Sequence, residues 1–197
     1  MNLEFENLKN DNKRFEPNQS YLDSYIEFVK FFKNKDEIYK EDFIIGCHFV
    51  YGWMPTILYF DFAKFDNRLN FILSYVYQAK GGTILKPEEI AEFIPIINNS
   101  LVGTSKLLHF INPEKYGIWD SNIFHYIFPN KKSIAGIKKP ELYLEYLEAL
   151  RKITLHNDFD NLYFKIIEFF NLDYEISRFR AIESLIFEIM KNRKIKS

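Results

Sequence analysis

The sequence has one cysteine, seven glycines, seven prolines and no long apolar run, and each shortage narrows what the chain can be. Because Cys47 is alone, the chain forms no internal disulfide and no four-cysteine cluster or zinc site, which predicts a protein of a reducing compartment. No run of about 18 apolar residues occurs, so no membrane-spanning helix is expected. The polar residues 1–14 are unlike a secretory signal peptide. We therefore expect a soluble, cytoplasmic protein.

Strong net charge is also missing, whereas aromatic residues are abundant. The chain has 26 basic and 27 acidic residues, a formal net charge of -1, and so lacks the global basic field of many nucleic-acid-binding proteins. Few glycines and prolines leave little material for the turns of an all-β fold, and the apolar residues recur at helical spacing. The 21 Phe and 13 Tyr indicate a ring-rich core. We predict a compact all-α fold of about eight to ten helices.

The apolar pattern predicts an N-terminal arm followed by one domain. Residues 1–18 are predicted as a flexible arm, and residues 19–197 as a single multi-helix domain, because no repeat or low-complexity linker interrupts them. Pro55 predicts a break in the chain and a new helix that starts at the proline. The last helix is predicted over residues 173–192.

The stretch Asn98–Ile111 is predicted to form a turn and then a helix. The turn, Asn98–Thr104, is centred on Gly103, because glycine reaches backbone angles that strain other residues. Thr104 or Ser105 would then cap the helix that follows. Together with the preceding helix, this arrangement predicts a helix-hairpin-helix element, whose free backbone amides suit a phosphate.

Lys106 and Asp120 form the candidate reactive pair. Lys106 would lie in the first turn of its helix, where a cation opposes the helix macrodipole, and this placement indicates a nearby anion. Asp120 or Ser121 is expected to cap the next helix. The anion is therefore either Asp120, within the chain, or a phosphate outside it.

These two segments resemble the helix-hairpin-helix superfamily of DNA glycosylases, with the 8-oxoguanine glycosylase branch as the nearest analogue. Residues 102–106, Val-Gly-Thr-Ser-Lys, stand where the family has a Gly-Val-Gly hairpin followed by its catalytic lysine. Residues 117–120, Gly-Ile-Trp-Asp, stand where it has a Pro-Val-Asp sequence with the catalytic aspartate. The resemblance implies base excision by a hydrolase. Lys106 would form a Schiff base with the sugar, and Asp120 would stabilise the cationic sugar or assist proton transfer.

Several aromatic residues are candidates for stacking on a base. Trp53 and Met54 precede the predicted break, and Trp119 immediately precedes Asp120. Such side chains can stack on a base, although in so ring-rich a chain they also build the core.

Two further side chains are candidates near the lysine. His109 follows Lys106 by one helical turn, within reach as a proton carrier, and its alternative role is structural. Arg180 either pairs with Glu183 on the helix surface or reaches into a pocket as an anion clamp. The predicted substrate-binding set is Gly103, Thr104, Ser105, His109, Trp53, Met54, Trp119 and Arg180.

Three functions stay open at this point. The first is an enzyme, a DNA glycosylase-like protein that acts on a base flipped out of the duplex, with or without lyase activity. The second is a non-catalytic pocket protein of the same fold that binds a nucleotide or another small anion through Lys106, Trp53 and Arg180. The third is a helical interaction module, which requires an exposed apolar patch. In the purely structural alternative, Asp120 is only a helix cap and Lys106 only a surface lysine.

No metal and no cofactor are predicted. The four histidines and the single cysteine have no metal-ligand spacing. The expected partner is DNA or a nucleotide-like ligand and not a membrane, while the oligomeric state stays open.

Overall fold

Helices follow the apolar periodicity along the chain, and the computed structural model is all-helical. It describes residues 3–11, 24–54, 56–131 and 133–195, the side chains of 193–195 excepted. Within these ranges there are ten α-helices, one short 3-10 helix at Ala135–Lys138 and no β-strand, which confirms the predicted all-α class. The α-helices are α1 (Phe5–Asp11), α2 (Tyr25–Lys33), α3 (Lys40–Trp53), α4 (Phe62–Lys80), α5 (Pro87–Phe93), α6 (Leu101–Ile111), α7 (Ser121–Ile127), α8 (Pro140–Thr154), α9 (Phe159–Phe169) and α10 (Arg178–Ile195).

Helix α6 lies at the centre of the core. It packs against α2, α3, α4 and α5 and against the 3-10 helix. All of its residues are buried except Val102 and Lys106, which are half-buried. Lys106 is therefore the one residue with a charged side chain on a helix that is otherwise buried on nearly every face.

Helix α10 closes the core from the other side and carries charged residues into it. It packs against α1, α7, α8 and α9. Arg180 is 8% exposed and Glu183 2% exposed, so both charged residues are buried together with the apolar residues next to them on the helix. The helix begins at Arg178, later than the predicted start at residue 173. Its first turns place Arg180 and Glu183 beside α6.

The predicted flexible arm is wrong for the part that the structure describes. Residues 5–11 form α1, and Phe5 and Leu8 are buried in the core. Two buried apolar side chains three residues apart lie on one helix face, which is enough to dock a short helix. Residues 1–2 and 12–18 of the predicted arm lie outside the described residues.

The helix predicted from Pro55 is also wrong. Pro55 itself is outside the described residues, but residues 56–60 are not helical and the next helix begins at Phe62. Asn98 holds this segment in an extended form, because its amide nitrogen donates to Ile57 O at 2.9 Å and its amide oxygen accepts from Tyr59 N. A distant side chain therefore replaces the helical hydrogen bonds here.

No helix in the described ranges has the length and apolar character needed to cross a bilayer.

Candidate functional site

The turn before α6 lies earlier than predicted. Ser100 is the helix N-cap, and its hydroxyl accepts a hydrogen bond from Gly103 N at 3.0 Å. The left-handed backbone belongs to Asn98 and Asn99, with φ of 57° and 49°, and asparagine adopts this conformation more readily than most residues. The turn centred on Gly103 is thus wrong, and the predicted helix-hairpin-helix element is not confirmed.

Gly103 and Thr104 serve the packing of α6. A Cβ atom at Gly103 would lie 2.5 Å from the hydroxyl of buried Tyr51, so the glycine permits close helix packing rather than an unusual backbone angle. Thr104 is fully buried, and its hydroxyl donates to Ser100 O at 3.0 Å. Gly103 packs against Tyr51 and Thr104 is buried and bonded within its own helix, which corrects their predicted role in substrate binding.

Lys106 is the sixth residue of α6, so the argument from a cation in the first turn does not apply. Its amine lies 5.4 Å from the centroid of the Trp53 ring. Burial is the largest influence on the amine and lowers its pKa; Arg180 also lowers it, whereas Asp120 and Glu183 raise it. A lowered pKa increases the fraction of neutral amine, the form that acts as a nucleophile.

Asp120 caps α7, as one of the predicted alternatives had it. Its carboxylate accepts from Ile123 N at 3.0 Å. The segment before it is tied down at every residue by a buried side chain of another helix. The bonds are His109 Nδ1 to Tyr116 O at 2.7 Å, Tyr143 OH to Gly117 O at 2.9 Å, Ile118 N to Glu183 Oε1, and Trp119 N to Ser105 Oγ at 3.0 Å.

Hydrogen bonds between Ser105 and Trp119 link the two candidate reactive residues through their neighbours. Ser105 directly precedes Lys106, and Trp119 directly precedes Asp120. The bond from Trp119 N to Ser105 Oγ therefore joins the two backbones next to both residues. The Ser105 hydroxyl is thus bonded within the protein to Val102 and Trp119, in contrast to the substrate-binding role predicted for it.

Trp119 belongs to the core. It is fully buried, and its indole nitrogen donates to Ile137 O at 3.0 Å. Its ring packs against Phe124, Tyr143 and Tyr146. The expectation that Trp119 stacks on a base is wrong, because its ring is fully buried among these aromatic side chains.

His109 is structural as well. It is fully buried, and Nδ1 donates to the carbonyl of Tyr116 while Nε2 accepts from the Tyr25 hydroxyl at 2.9 Å. Burial, helped by the charge of Arg180, lowers the pKa of His109 to about 3. The ring is neutral near pH 7 and both nitrogens are bonded, so it cannot carry a proton to a substrate.

Trp53 and Arg180 lie close to Lys106. The guanidinium carbon of Arg180 lies 5.0 Å from the Tyr25 ring centroid and 5.4 Å from that of Trp53. Trp53 therefore contacts both Arg180 and Lys106. The negative face of its ring attracts these two positive charges. Met54 is the C-cap of α3 and half-buried beside Trp53 in the chain.

Glu183 is the site residue that sequence reasoning valued too little. One carboxyl oxygen accepts from Ile118 N, and the other lies 3.6 Å from Arg180 and 3.9 Å from His109. Burial raises its pKa to about 8, against the lowering effect of Arg180 and the Ile118 N–H. One feature of the sequence does indicate that Glu183 is buried: it lies between Ile182 and Ile186 on a largely apolar stretch of the predicted helix.

No protein-family model matches the chain, and no curated protein or solved structure matches it either. The chemistry of the site therefore carries the functional argument. In the described part of the chain, no three His, Cys, Asp or Glu side chains form a group able to hold a metal ion.

Replacing Gly117 with alanine tests how tightly the Asp120 segment is packed. The new Cβ would lie 2.5 Å from Leu150 Cδ1 and 2.9 Å from Glu183 Oε1, so we expect the free energy of unfolding to fall by about 1–3 kcal/mol. Urea denaturation measures this change. The control is Gly52→Ala, where no atom lies within 4 Å of the new Cβ. Equal stability of the two variants would show that the segment yields easily.

The pH dependence of stability tests the two buried titrating groups. The pKa of Glu183 is about 8, against an ordinary value of 4.5, so the folded protein retains a proton that the unfolded chain loses. Its contribution to stability therefore falls as pH rises from 4.5 to 8, by about 1.4 kcal/mol per pH unit. The pKa of His109 is about 3, against 6.5, and its contribution has the opposite sign: stability rises with pH from 3 to 6.5.

These two slopes cancel between pH 4.5 and 6.5, so only Glu183 contributes from pH 6.5 to 8. We expect the melting temperature of the wild type to fall over this upper window and that of Glu183→Gln to stay flatter. Thermal melts in a series of buffers measure both profiles. Parallel profiles of the two proteins would contradict the assignment.

Proposed function

We propose that this protein is a DNA glycosylase-like enzyme that excises a modified base, with Lys106 as the nucleophile and Asp120 as its carboxylate partner. One arrangement carries the proposal: a desolvated amine over an aromatic ring, and a helix-capping carboxylate on a segment that is bonded to the same helix next to the amine's residue, between Ser105 and Trp119. Burial lowers the pKa of the Lys106 amine, which is what a nucleophilic lysine needs near neutral pH.

The reaction follows from the chemistry of an amine and a carboxylate. The neutral Lys106 amine attacks C1′ of the deoxyribose, the bond from C1′ to the base breaks, and the base leaves with the bonding electrons and takes up a proton. The attacking nitrogen passes one proton to Asp120, the C1′–O4′ bond breaks as the nitrogen lone pair forms the C1′=N bond, and O4′ takes up a proton; this gives a protonated Schiff base that water hydrolyses. Asp120 stabilises positive charge on the sugar and accepts a proton from the attacking amine.

Trp53 and Arg180 supply recognition in this proposal. Enzymes that act on a base in DNA extrude it from the stack and hold it against aromatic or apolar side chains. The Trp53 ring contacts Phe110 and both cations of the site but is only half-buried, so its exposed part is the surface against which an extruded base would stack. Arg180 adds positive charge beside it, which favours the phosphate of the flipped nucleotide.

A specific observation also favours the second candidate, a non-catalytic pocket protein that binds a nucleotide or a small anion. Arg180 is buried, and its Nε atom has no hydrogen-bond partner in the described part of the chain. A buried donor without a partner is costly, and an anionic ligand would satisfy it. In that case Lys106 and Arg180 hold charge together, and no covalent step occurs.

One pair of assays separates the candidates. The wild-type protein is incubated with duplexes containing a damaged base or an abasic site in the presence of borohydride, which reduces a Schiff base to a stable protein–DNA adduct. The same protein is titrated calorimetrically with nucleotides. An adduct supports the enzyme; nucleotide binding without any adduct supports the pocket protein.

A further inference from the structure

We propose that Glu183 is a positioning residue that holds Asp120 and Arg180 in register with Lys106. The proposal deepens the function proposed above and rests on it, since it assigns a role within that same site. The helix-capping pattern and the resemblance to glycosylases do not involve this residue. The proposal comes from the contacts that Glu183 makes from α10 with Ile118 and Arg180.

The first carboxyl oxygen of Glu183 holds the segment that carries Asp120. It accepts from Ile118 N and lies 3.5 Å from the Tyr146 hydroxyl. Gly117 lets it approach, because any side chain there would lie 2.9 Å from the same oxygen. Since Ile118 is two residues before Asp120, losing this acceptor frees the backbone that sets the carboxylate's position.

The second carboxyl oxygen of Glu183 lies beside Arg180. It lies 3.6 Å from the guanidinium, and it has no hydrogen-bond partner in the described ranges. Arg180 in turn packs over Trp53, the ring that also contacts the Lys106 amine. One side chain of α10 therefore connects the cation on its own helix to the loop that supplies the carboxylate.

The charge of Glu183 also acts on Lys106. Burial raises the pKa of Glu183 to about 8, so the group is mainly neutral at pH 7. When it ionises at higher pH, its negative charge favours the protonated, non-nucleophilic form of Lys106. The titratable or charged groups around Glu183 are Arg180 on α10, Lys106 and His109 on α6, Asp120 before α7, Tyr143 and Tyr146 on α8, and Tyr25 on α2.

Activity gives the first test, with two variants and one control. Glu183→Ala removes the acceptor for Ile118 N and is expected to lower kcat on the order of 10²-fold with KM nearly unchanged, because it displaces the reacting groups. Glu183→Gln keeps an acceptor oxygen and stays neutral, so it restores activity at pH 7 and shifts the rise of activity with pH, which follows the neutral Lys106 amine, to lower pH. The control Glu188→Gln alters another buried carboxyl of α10, which pairs with Lys191.

Equal loss in the Gln and Ala variants, or a rising limb at the same pH in the Gln variant and the wild type, overturns the proposal. If the Ala variant does not fold, the pH profile of the Gln variant decides alone.

Chemical labelling gives a test that does not depend on catalysis. The pH dependence of Lys106 acetylation by acetic anhydride, followed by peptide mass spectrometry, reports the titration of the amine. We expect the labelling midpoint of Lys106 to move to lower pH in Glu183→Gln and to stay unchanged in Glu188→Gln. If the wild type excises no base, the proposed function fails, yet this shift still supports the placement of Glu183. Identical midpoints in the wild type and both variants overturn it.

Discussion

Lys106→Gln is expected to abolish the borohydride-trapped adduct completely while leaving DNA affinity within a few-fold of the wild type. Glutamine is neutral and cannot form a Schiff base, and the lost bond is made only on the path to the transition state, so ground-state binding changes little. Gel analysis of the trapped adduct measures the first effect, and a fluorescence-anisotropy titration of the same duplex measures the second.

The matched control is Lys131→Gln. Lys131 also lies over an aromatic ring, that of Phe128, with its amine 4.4 Å from the ring centroid, but it is exposed. If the adduct is lost in both variants, the cause is the loss of one positive charge anywhere on the protein and not the loss of the Lys106 amine.

The pocket-protein alternative gives a different result with the same Lys106 variant. If Lys106 only holds an anion, Lys106→Gln weakens ligand binding by about 1–3 kcal/mol, the usual scale of a charge-assisted contact. No adduct forms in the variant or in the wild type. Calorimetry with the ligand found for the wild type measures this loss.

Features fixed by short-range chemistry could be predicted from the sequence. The helical class follows from apolar spacing, and the cap at Asp120 follows from the preference of acidic side chains for the first free amides of a helix. The proline at the start of α5 and the glycine after α4 likewise mark helix ends that the structure contains.

Features set by distant contacts could not be predicted. The chain at residues 56–60 stays extended because Asn98 bonds to it from across the molecule. Gly103 lies inside α6 and not in a turn. Its lack of a side chain leaves room for Tyr51 of α3 to pack against α6. A glycine chosen for close packing and a glycine chosen for a turn have the same letter in a sequence, and only tertiary structure distinguishes them.

The candidate site divides in the same way. Lys106, Trp53 and Arg180 were predicted and do come together around one ring. Trp119 and His109 were predicted at the site and instead belong to the buried framework behind it. The apolar pattern predicts which residues are helical. It does not predict that residues of α8 cover Trp119 or that Glu183 of α10 lies beside His109.

Asp120→Asn separates catalysis from capping, because the two roles of this carboxylate respond differently to the change. Asparagine caps a helix about as well as aspartate, so the melting temperature is expected to change little. Excision is expected to fall by about 10²- to 10⁴-fold, since the neutral amide neither stabilises a cationic sugar nor accepts a proton. Single-turnover excision and thermal melts measure the two effects. Asp61→Asn is the matched control, because Asp61 caps α4 with the same kind of hydrogen bond, accepting from Lys64 N at 3.0 Å. If both variants excise at the wild-type rate, Asp120 is only a helix cap.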